Sequence, residues 1–420
     1  MPSVGVMRGA HTRGQPAALA AVAAMVAGVP PHAVLLAGPA GIGKSTLAHD
    51  LAAALLCTPA AGVDRPCRVC RACRMVAHGN HPDLHVLGPV GPGAQVVIGG
   101  ADAKHRGVRD LVAELSLLPV EGGARVALVE GADRMNDDAQ SALLKTLEEP
   151  PAGVTIILCA DEEDRLLPTV RSRCARIRLG PVPSREIESI LAEHDAADPP
   201  TAARLARLAS GRPGRAIAYA RAPEAVRLRA ELARGLLDLI DARPAARLGA
   251  LRDLTTGATD LVAALAPPPV GPDPDGQPRR GRGRGVASAR APAARRLAPG
   301  GTDATADAEP PDGTDGSAGE EGGARRAPAA ERRRGAGLLI ALWTDLARDI
   351  VMAAVGQPAA IRDIGLLDEI NAAADVVHPT ELTAFIERLD IAGERLESNV
   401  MPELLLDSLV LAWPRRTVPA

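Results

Sequence analysis

The sequence predicts an α/β fold: a domain built on a five-stranded parallel sheet, followed by helices only. Three observations predict it. A short apolar run, His32–Ala37, leads through a Gly-rich turn into a helix beginning near Lys44. Four more strand-like runs follow with helical stretches between them, the alternation of a parallel sheet covered on both faces. From Pro183 onward the strand-like runs cease and only helical periodicity remains.

In chain order, Ala17–Val29 is apolar but runs straight into the first strand, so it reads as an amphipathic helix and not as a signal peptide. The second strand is Leu84–Leu87 and the third Ala124–Glu130. A helix follows, with Asn136 as its N-cap and Asp137 and Asp138 in the first turn, where acidic groups meet the positive helix end. Val154–Cys159 and Ala175–Leu179 complete the sheet. Helices are expected over Ser184–His194, over Thr201–Ala209, after the Gly211–Gly214 turn, and over Arg227–Ile240. Residues 267–335 are mostly Pro, Gly, Arg, Ala, Asp and Glu. Such a stretch buries too little apolar surface to offset chain entropy, so a disordered linker is expected. Its charges segregate into basic (Arg279–Arg296), acidic (Asp303–Glu321) and basic (Arg325–Arg334) blocks, read as a solvated tether with DNA contact as the alternative. Leu338–Val355, Thr380–Leu389 and Leu404–Leu411 are further helices.

A chain of 420 residues has room for two to four domains. Hydrophobic residues make up 46% but aromatics only 1%, namely Trp343, Trp413, Tyr219 and Phe385. The cores must therefore rest on Ala, Leu, Val and Ile. Aromatic platforms for stacking single-stranded bases are missing, and a net charge of −3 provides no global basic field for nucleic acid. No apolar run approaches the ~18 residues that a membrane span needs. Four of the six cysteines cluster, which fits metal ligation better than a disulfide framework, and a cytoplasmic protein is expected.

Gly38-Pro-Ala-Gly41-Ile-Gly43-Lys44-Ser45-Thr46 fits G-x-x-x-x-G-K-[ST]. Glycines let backbone N–H groups turn inward around phosphate oxygens. Lys44 brings a charge to the β- and γ-phosphates, and Ser45 a hydroxyl to Mg²⁺. The loop lies between a predicted strand and a predicted helix, the context this chemistry requires. The alternative is a retained loop that binds nothing. Cys57, Cys67, Cys70 and Cys73 place four thiols within a short span, and tight C-x-x-C turns aim pairs of sulfurs at one ion. Arg65, Arg68, Arg71 and Arg74 are expected to lower the thiol pKa values. Four ligands leave no open position, so structural zinc is read here. Free thiols, or a ligand substituted from His78 or His81, are the alternatives. Cys159, in a strand, reads as a small core residue.

These residues together resemble the bacterial clamp-loader ATPases of the AAA+ class. The resemblance rests on the P-loop helix leading into the four-cysteine insertion, on Val129-Glu-Gly-Ala-Asp-Arg-Met135, and on Ala142-Leu-Leu-Lys-Thr-Leu-Glu-Glu-Pro-Pro151. Leu167-Pro-Thr-Val-Arg-Ser-Arg-Cys174 adds to it, and Glu397–Leu406 resembles the end of the family's collar domain. It implies an AAA+ P-loop domain over 1–180 with a zinc module at 57–83, a helical lid over 181–222, and an all-α collar over 223–266 plus 336–415.

Within that family, three features resemble the delta-prime subunits more than the gamma/tau motor subunits. Asn80-His-Pro-Asp-Leu-His85 follows the zinc module. The motor's acidic pair falls on Glu130 and Gly131, leaving no carboxylate where a motor keeps the base that activates water. In Gly211-Arg-Pro-Gly-Arg-Ala216 the motor's sensor arginine falls on Gly214, with Arg215 beside it. The polar sensor after the fourth strand falls on Cys159 and Ala160.

The resemblance thus implies ATP or ADP, with Mg²⁺, on Gly38, Gly41, Gly43, Lys44, Ser45 and Thr46, helped by Glu130 through water, and little or no hydrolysis by this chain. It implies Zn²⁺ on the four cysteines and a trans arginine finger at Arg173, against a local salt bridge as the bland reading. The implied partners are gamma/tau and delta subunits in a hetero-pentameric ring that loads the sliding clamp onto primed DNA, with DNA touched at backbone phosphates. An active gamma/tau-like motor, and a zinc-bearing DNA-binding scaffold outside replication, are the alternatives.

Overall fold

The computed structural model describes residues 7–58, 64–90, 95–100, 105–121, 123–266, 329–397 and 400–416. Helix α1 (Pro16–Ala27) precedes strand β1 (Ala33–Ala37), and the Gly-rich turn opens into α2 (Lys44–Leu56). A short α3 (Arg71–Ala77) carries the last cysteine of the cluster and leads to β2 (Leu84–Leu87). Then come α4 (Val108–Leu115), β3 (Arg125–Val129), α5 (Asp137–Glu148), β4 (Val154–Ala160), α6 (Pro168–Arg171) and β5 (Ala175–Arg178).

All five expected strands form, and every pairing is parallel, in the order β2-β3-β4-β1-β5. β1, β3 and β4 are buried along their whole length, which is why they read as unbroken apolar runs. Pleating sends alternate side chains to two cores. Val34, Leu36, Val126, Leu128 and Ile157 pack with α1 and α2, against Leu47 and Leu51 among others. Ala33, Leu35, Ala127, Val129, Ile156 and Leu158 pack on the other face with Leu111 of α4 and Leu143 of α5. The chain enters at β1, crosses to the far edge, returns through β4 to β1's flank, and places β5 on β1's other side. Ligands of such sheets bind beyond the strand C-termini where the order reverses, here at the end of β1.

Helices follow: α7 (Ser184–Glu193), α8 (Pro199–Leu208), α9 (Pro213–Arg221), α10 (Pro223–Asp238) and α11 (Pro244–Leu265). After the gap in the described residues come α12 (Ala329–Ala354), α13 (Leu367–Ala374), α14 (Pro379–Glu397) and α15 (Pro402–Ala412). Six of these, α8 to α11, α14 and α15, carry Pro in the first turn, where its missing N–H costs no helical hydrogen bond. All four aromatic residues lie in this helical part, none in the sheet domain. Trp343, Phe385 and Trp413 form one cluster with ring centroids 4.9–5.7 Å apart. The Trp413 Nε1–H donates to the Leu236 carbonyl at 3.0 Å, which ties α15 to α10. Arg247 of α11 is fully buried without a carboxylate partner and donates to the carbonyls of Ala242, Val410, Trp413 and Pro414. It thereby serves the orphan C-terminal carbonyls of α15, the group a helix end leaves unsatisfied.

The described helices depart from expectation in several places, and α13 is one, since no helix was expected over Leu367–Ala374. α11 was not anticipated, because Gly249, Gly257 and three threonines weaken its propensity. Its buried Leu251, Leu254, Ala258 and Leu261 nonetheless form one helical stripe, and packing outweighs propensity. α14 extends to Glu397 and not only to Leu389, because Ala392 and Leu396 are buried as well. α12 begins at Ala329, inside the stretch expected to be linker. Residues 267–328 of that stretch lie outside the described residues, as do Ser398 and Asn399 of the collar motif. Among the described residues, no helix is long and apolar enough to cross a membrane.

Candidate functional site

A cavity of about 800 Å³ opens at the C-terminal ends of β1, β3 and β4. Gly41, Gly43, Lys44, Ser45, Thr46 and Glu130 line it, so six of the seven residues expected to hold nucleotide share one wall. The seventh, Gly38, does not line the cavity but accepts a hydrogen bond from Lys44 Nζ at 2.6 Å. Ile190, His194 and Ile217 of the α7–α9 helices close the opposite side, and His11–Arg13 form an edge.

Two positions bear on hydrolysis. Gly131 has φ +61, and a Cβ there would meet Pro89 Cγ at 3.0 Å and Arg134 Cδ at 3.3 Å. A carboxylate side chain at 131 would thus be strained as well as crowded. Gly214, at the expected sensor-arginine position, donates its N–H to the Gly41 carbonyl at 2.9 Å. A Cβ there would sit 3.1 Å from Gly41 Cα, so this close helix-to-loop approach leaves no room for a side chain. Arg215 beside it faces elsewhere: its Nε–H donates to Tyr219 Oη, its guanidinium lies 5.6 Å from the Tyr219 ring centroid, and it pairs with Asp345 of α12.

Sequence reasoning missed Asp161. The position after β4 was expected to be apolar, at Cys159 and Ala160. The next residue, Asp161, pairs with Lys44 Nζ at 2.6 Å. Its backbone N–H donates to Asp133 Oδ1 at 3.0 Å, and Asp133 is itself buried. Burial first, and then the nearby Asp161 charge, push the Asp133 carboxyl up from its ordinary value. A polar residue directly after an apolar strand was the available signal. Cys159 is a core residue as expected, with burial pushing its thiol up to about 12.

The sulfur atoms of Cys57, Cys67, Cys70 and Cys73 lie within 4.8 Å of one another, and Cys57 and Cys70 are 3.9 Å apart. A tetrahedral cation with bonds of about 2.3 Å to sulfur sets its ligands roughly 3.8 Å apart, so the cluster has the right size. The N–H groups of Cys67, Cys70 and Cys73 each point at the preceding cysteine's sulfur at 3.4 Å. Burial opposes ionisation of Cys70, but the N–H of Cys73 and its neighbours outweigh it and hold that thiol down at about 6. Burial raises Cys57 and Cys73. Backbone N–H groups, not the interleaved arginines, thus favour the thiolate. Arg68 turns to Asp50, Arg71 to Glu121 and Arg74 to the Val69 carbonyl. His81 also stays outside the cluster, accepting the Asp83 N–H at 3.1 Å.

Asp50 of α2 joins the module to the cavity. It is buried and accepts from His11 N, Thr12 N and Thr12 Oγ1 as well as from Arg68. Arg173 lies apart from the cavity-lining residues, follows α6, and pairs with Glu148 of α5 at 2.6 Å. Its side chain is 34% exposed.

Residues 15–183 match the family model described as DNA polymerase III, delta subunit. A DNA polymerase III subunit delta' from Pseudomonas aeruginosa is 43% identical over 145 residues, which is 34% of this chain and 42% of that protein. Over residues 15–183 the chain is similar to delta-prime subunits. A delta' subunit of Escherichia coli is 36% identical over 197 residues, 47% of this chain and 57% of that protein. A tau subunit of Escherichia coli is 33% identical over 186 residues, 43% of this chain and 27% of that protein. The chain thus spans about half the length of the delta-prime relatives it matches. The delta-prime match covers the P-loop, the cysteines, Glu130, Asp161 and Arg173.

The delta-prime-like Asn80–His85 segment has a structural task here. Asp83 is buried, accepts the N–H groups of Val120 and Glu121 at 2.7 and 2.9 Å, and lies 3.4 Å from Arg125. Burial would raise its pKa, but those N–H groups and the Arg125 charge prevail and hold it below the ordinary value. Asp83→Ala leaves Arg125 buried without its carboxylate, and a loss of about 3–5 kcal/mol in unfolding free energy is expected. Because the folded pKa is depressed, the wild-type contribution is present above the unfolded pKa and is lost as pH falls through the folded one. Urea unfolding at neutral and acid pH checks this: the gap between wild type and variant should narrow in acid.

Proposed function

We propose that this chain acts as a delta-prime-like subunit of a DNA polymerase III clamp loader. In this reading it joins gamma/tau and delta subunits in a hetero-pentameric ring that loads the sliding clamp onto primed DNA. It binds ATP or ADP with Mg²⁺ at Gly38, Gly41, Gly43, Lys44, Ser45, Thr46 and Glu130 and hydrolyses it poorly. Its own catalytic contribution is Arg173, which completes a neighbour's nucleotide site. The cysteines Cys57, Cys67, Cys70 and Cys73 hold a structural Zn²⁺.

The observation that carries the reading is the standing of Arg173: outside the chain's own cavity, partly exposed, and propped by Glu148. Poor hydrolysis is supported by the crowded glycine at 131 and by the lid glycine at 214 packed on the P-loop. An active motor is disfavoured on the same two observations.

Reconstitution with the gamma/tau and delta subunits of the same genome tests the role. Clamp transfer to primed DNA is expected to need this chain. Unchanged loading when it is left out would overturn the proposal.

A further inference from the structure

The pairing of Lys44 with Asp161 reaches beyond a site that merely holds a nucleotide. All three N–H groups of the Lys44 ammonium are engaged, with the Gly38 carbonyl at 2.6 Å, the Pro39 carbonyl at 3.0 Å and Asp161 Oδ1 at 2.6 Å. The lysine side chain is only 8% exposed. A P-loop lysine serves the β- and γ-phosphates, so the carboxylate of Asp161 occupies one of the directions that phosphate oxygens would take.

We propose that Asp161 makes the P-loop site selective for a nucleoside diphosphate over the triphosphate. The inference rests on the nucleotide-binding reading above. A diphosphate needs Lys44 at its β-phosphate alone, and by releasing one of the two backbone carbonyls the ammonium frees a donor for it while keeping Asp161 as a partner. A triphosphate extends one phosphate further, toward the ends of β3 and β4, where Glu130 and Asp161 both line the cavity. Its added negative charge then meets a carboxylate at short range in a partly desolvated site, where like charges repel strongly. Asp161 has little freedom to withdraw: its own N–H is tied to the buried Asp133, and β4 ends directly before it. Arg13 and Arg134 also line the cavity and are the cations that would oppose this selectivity.

Calorimetric titration of the full chain with ADP and with ATP, each with Mg²⁺, tests the proposal in wild type, Asp161→Asn and Asp161→Ser. Wild type is expected to bind ADP at least about tenfold more tightly than ATP, as a single like-charge contact can impose. Both substitutions are expected to raise ATP affinity about tenfold and to move ADP affinity by less than about threefold. Thermal melting confirms that each variant is folded, and the serine variant stands in should the asparagine one not be. Equal affinity of wild type for ADP and ATP would overturn the selectivity and leave nucleotide binding standing. So would an equal gain for both nucleotides in the variants, which would make Asp161 a simple competitor for Lys44. Binding of neither nucleotide to wild type or variants would overturn the nucleotide reading, and this inference with it.

Discussion

Replacing Arg173 with alanine is expected to cut ATP turnover by the reconstituted complex by about a thousandfold at sites that use this finger, the lower end of what an arginine supplied in trans contributes. A guanidinium suits the task because it stays charged and offers a planar fork to phosphate oxygens. The structure supplies a support for it. Glu148 holds Arg173 by a 2.6 Å ion pair, with a further bond from Arg173 to the Thr169 carbonyl at 2.9 Å. Glu148→Gln, which weakens the support and keeps the arginine, should therefore cost far less than Arg173→Ala. Arg173→Lys should recover only part of the activity, since an ammonium lacks the fork. Partial exposure of the pair means little stability is at stake. The melting temperature and nucleotide affinity of the isolated variant should match wild type, which separates a finger from a structural contact. Turnover unchanged by Arg173→Ala would assign this arginine to a local ion pair with Glu148 and nothing more.

Removing the metal is the other change of large expected effect. Purified chain should carry close to one zinc per molecule, and Cys70→Ser should lose it. Ligand sets of this kind hold zinc with about 10–16 kcal/mol in isolated zinc-finger peptides, energy that is then also folding energy. Besides the sulfurs, the segment between Cys67 and Ala77 is held by short helix α3, by buried Ala72 and Val76, and by the Arg68–Asp50 and Arg71–Glu121 pairs, a small set of contacts for a metal-free module. Its interleaved Arg68, Arg71 and Arg74 are trypsin sites, so chelation should turn a resistant module into one cut within minutes. The disturbance should reach the cavity, because Arg68 shares Asp50 with His11 and Thr12. A chain with no bound zinc, or an unchanged tryptic pattern after chelation, would leave the cluster as free thiols.

How much of this was legible beforehand depended on how local the signal was. The five strands could be read from the chain because runs such as Val126–Val129 and Ile156–Leu158 are apolar without interruption, a pattern that a doubly covered strand requires. The P-loop and the cysteine cluster were legible for the same reason: their chemistry needs fixed residue types at fixed short spacings, and the fold brings both sets together. Helix α11 was hidden because its apolar stripe is diluted by glycine and threonine, and only burial against neighbouring helices makes it stable. The arginines among the cysteines were assigned to the thiols by proximity along the chain, whereas Arg68, Arg71 and Arg74 each found a carboxylate or carbonyl elsewhere.

The sequence by itself determined the α/β sheet, the phosphate loop, the four-sulfur cluster and the relation to the delta-prime family, since each is written in contiguous or closely spaced residues. Only the tertiary structure decided which groups meet across long separations. Asp161 stands 117 residues from Lys44 yet neutralises it, and Arg215 is drawn from the cavity by Asp345, 130 residues further on. Such pairs arise from strand order and helix packing, which bring charges within a few ångströms where burial makes their interaction strong, and no spacing rule along the chain records that.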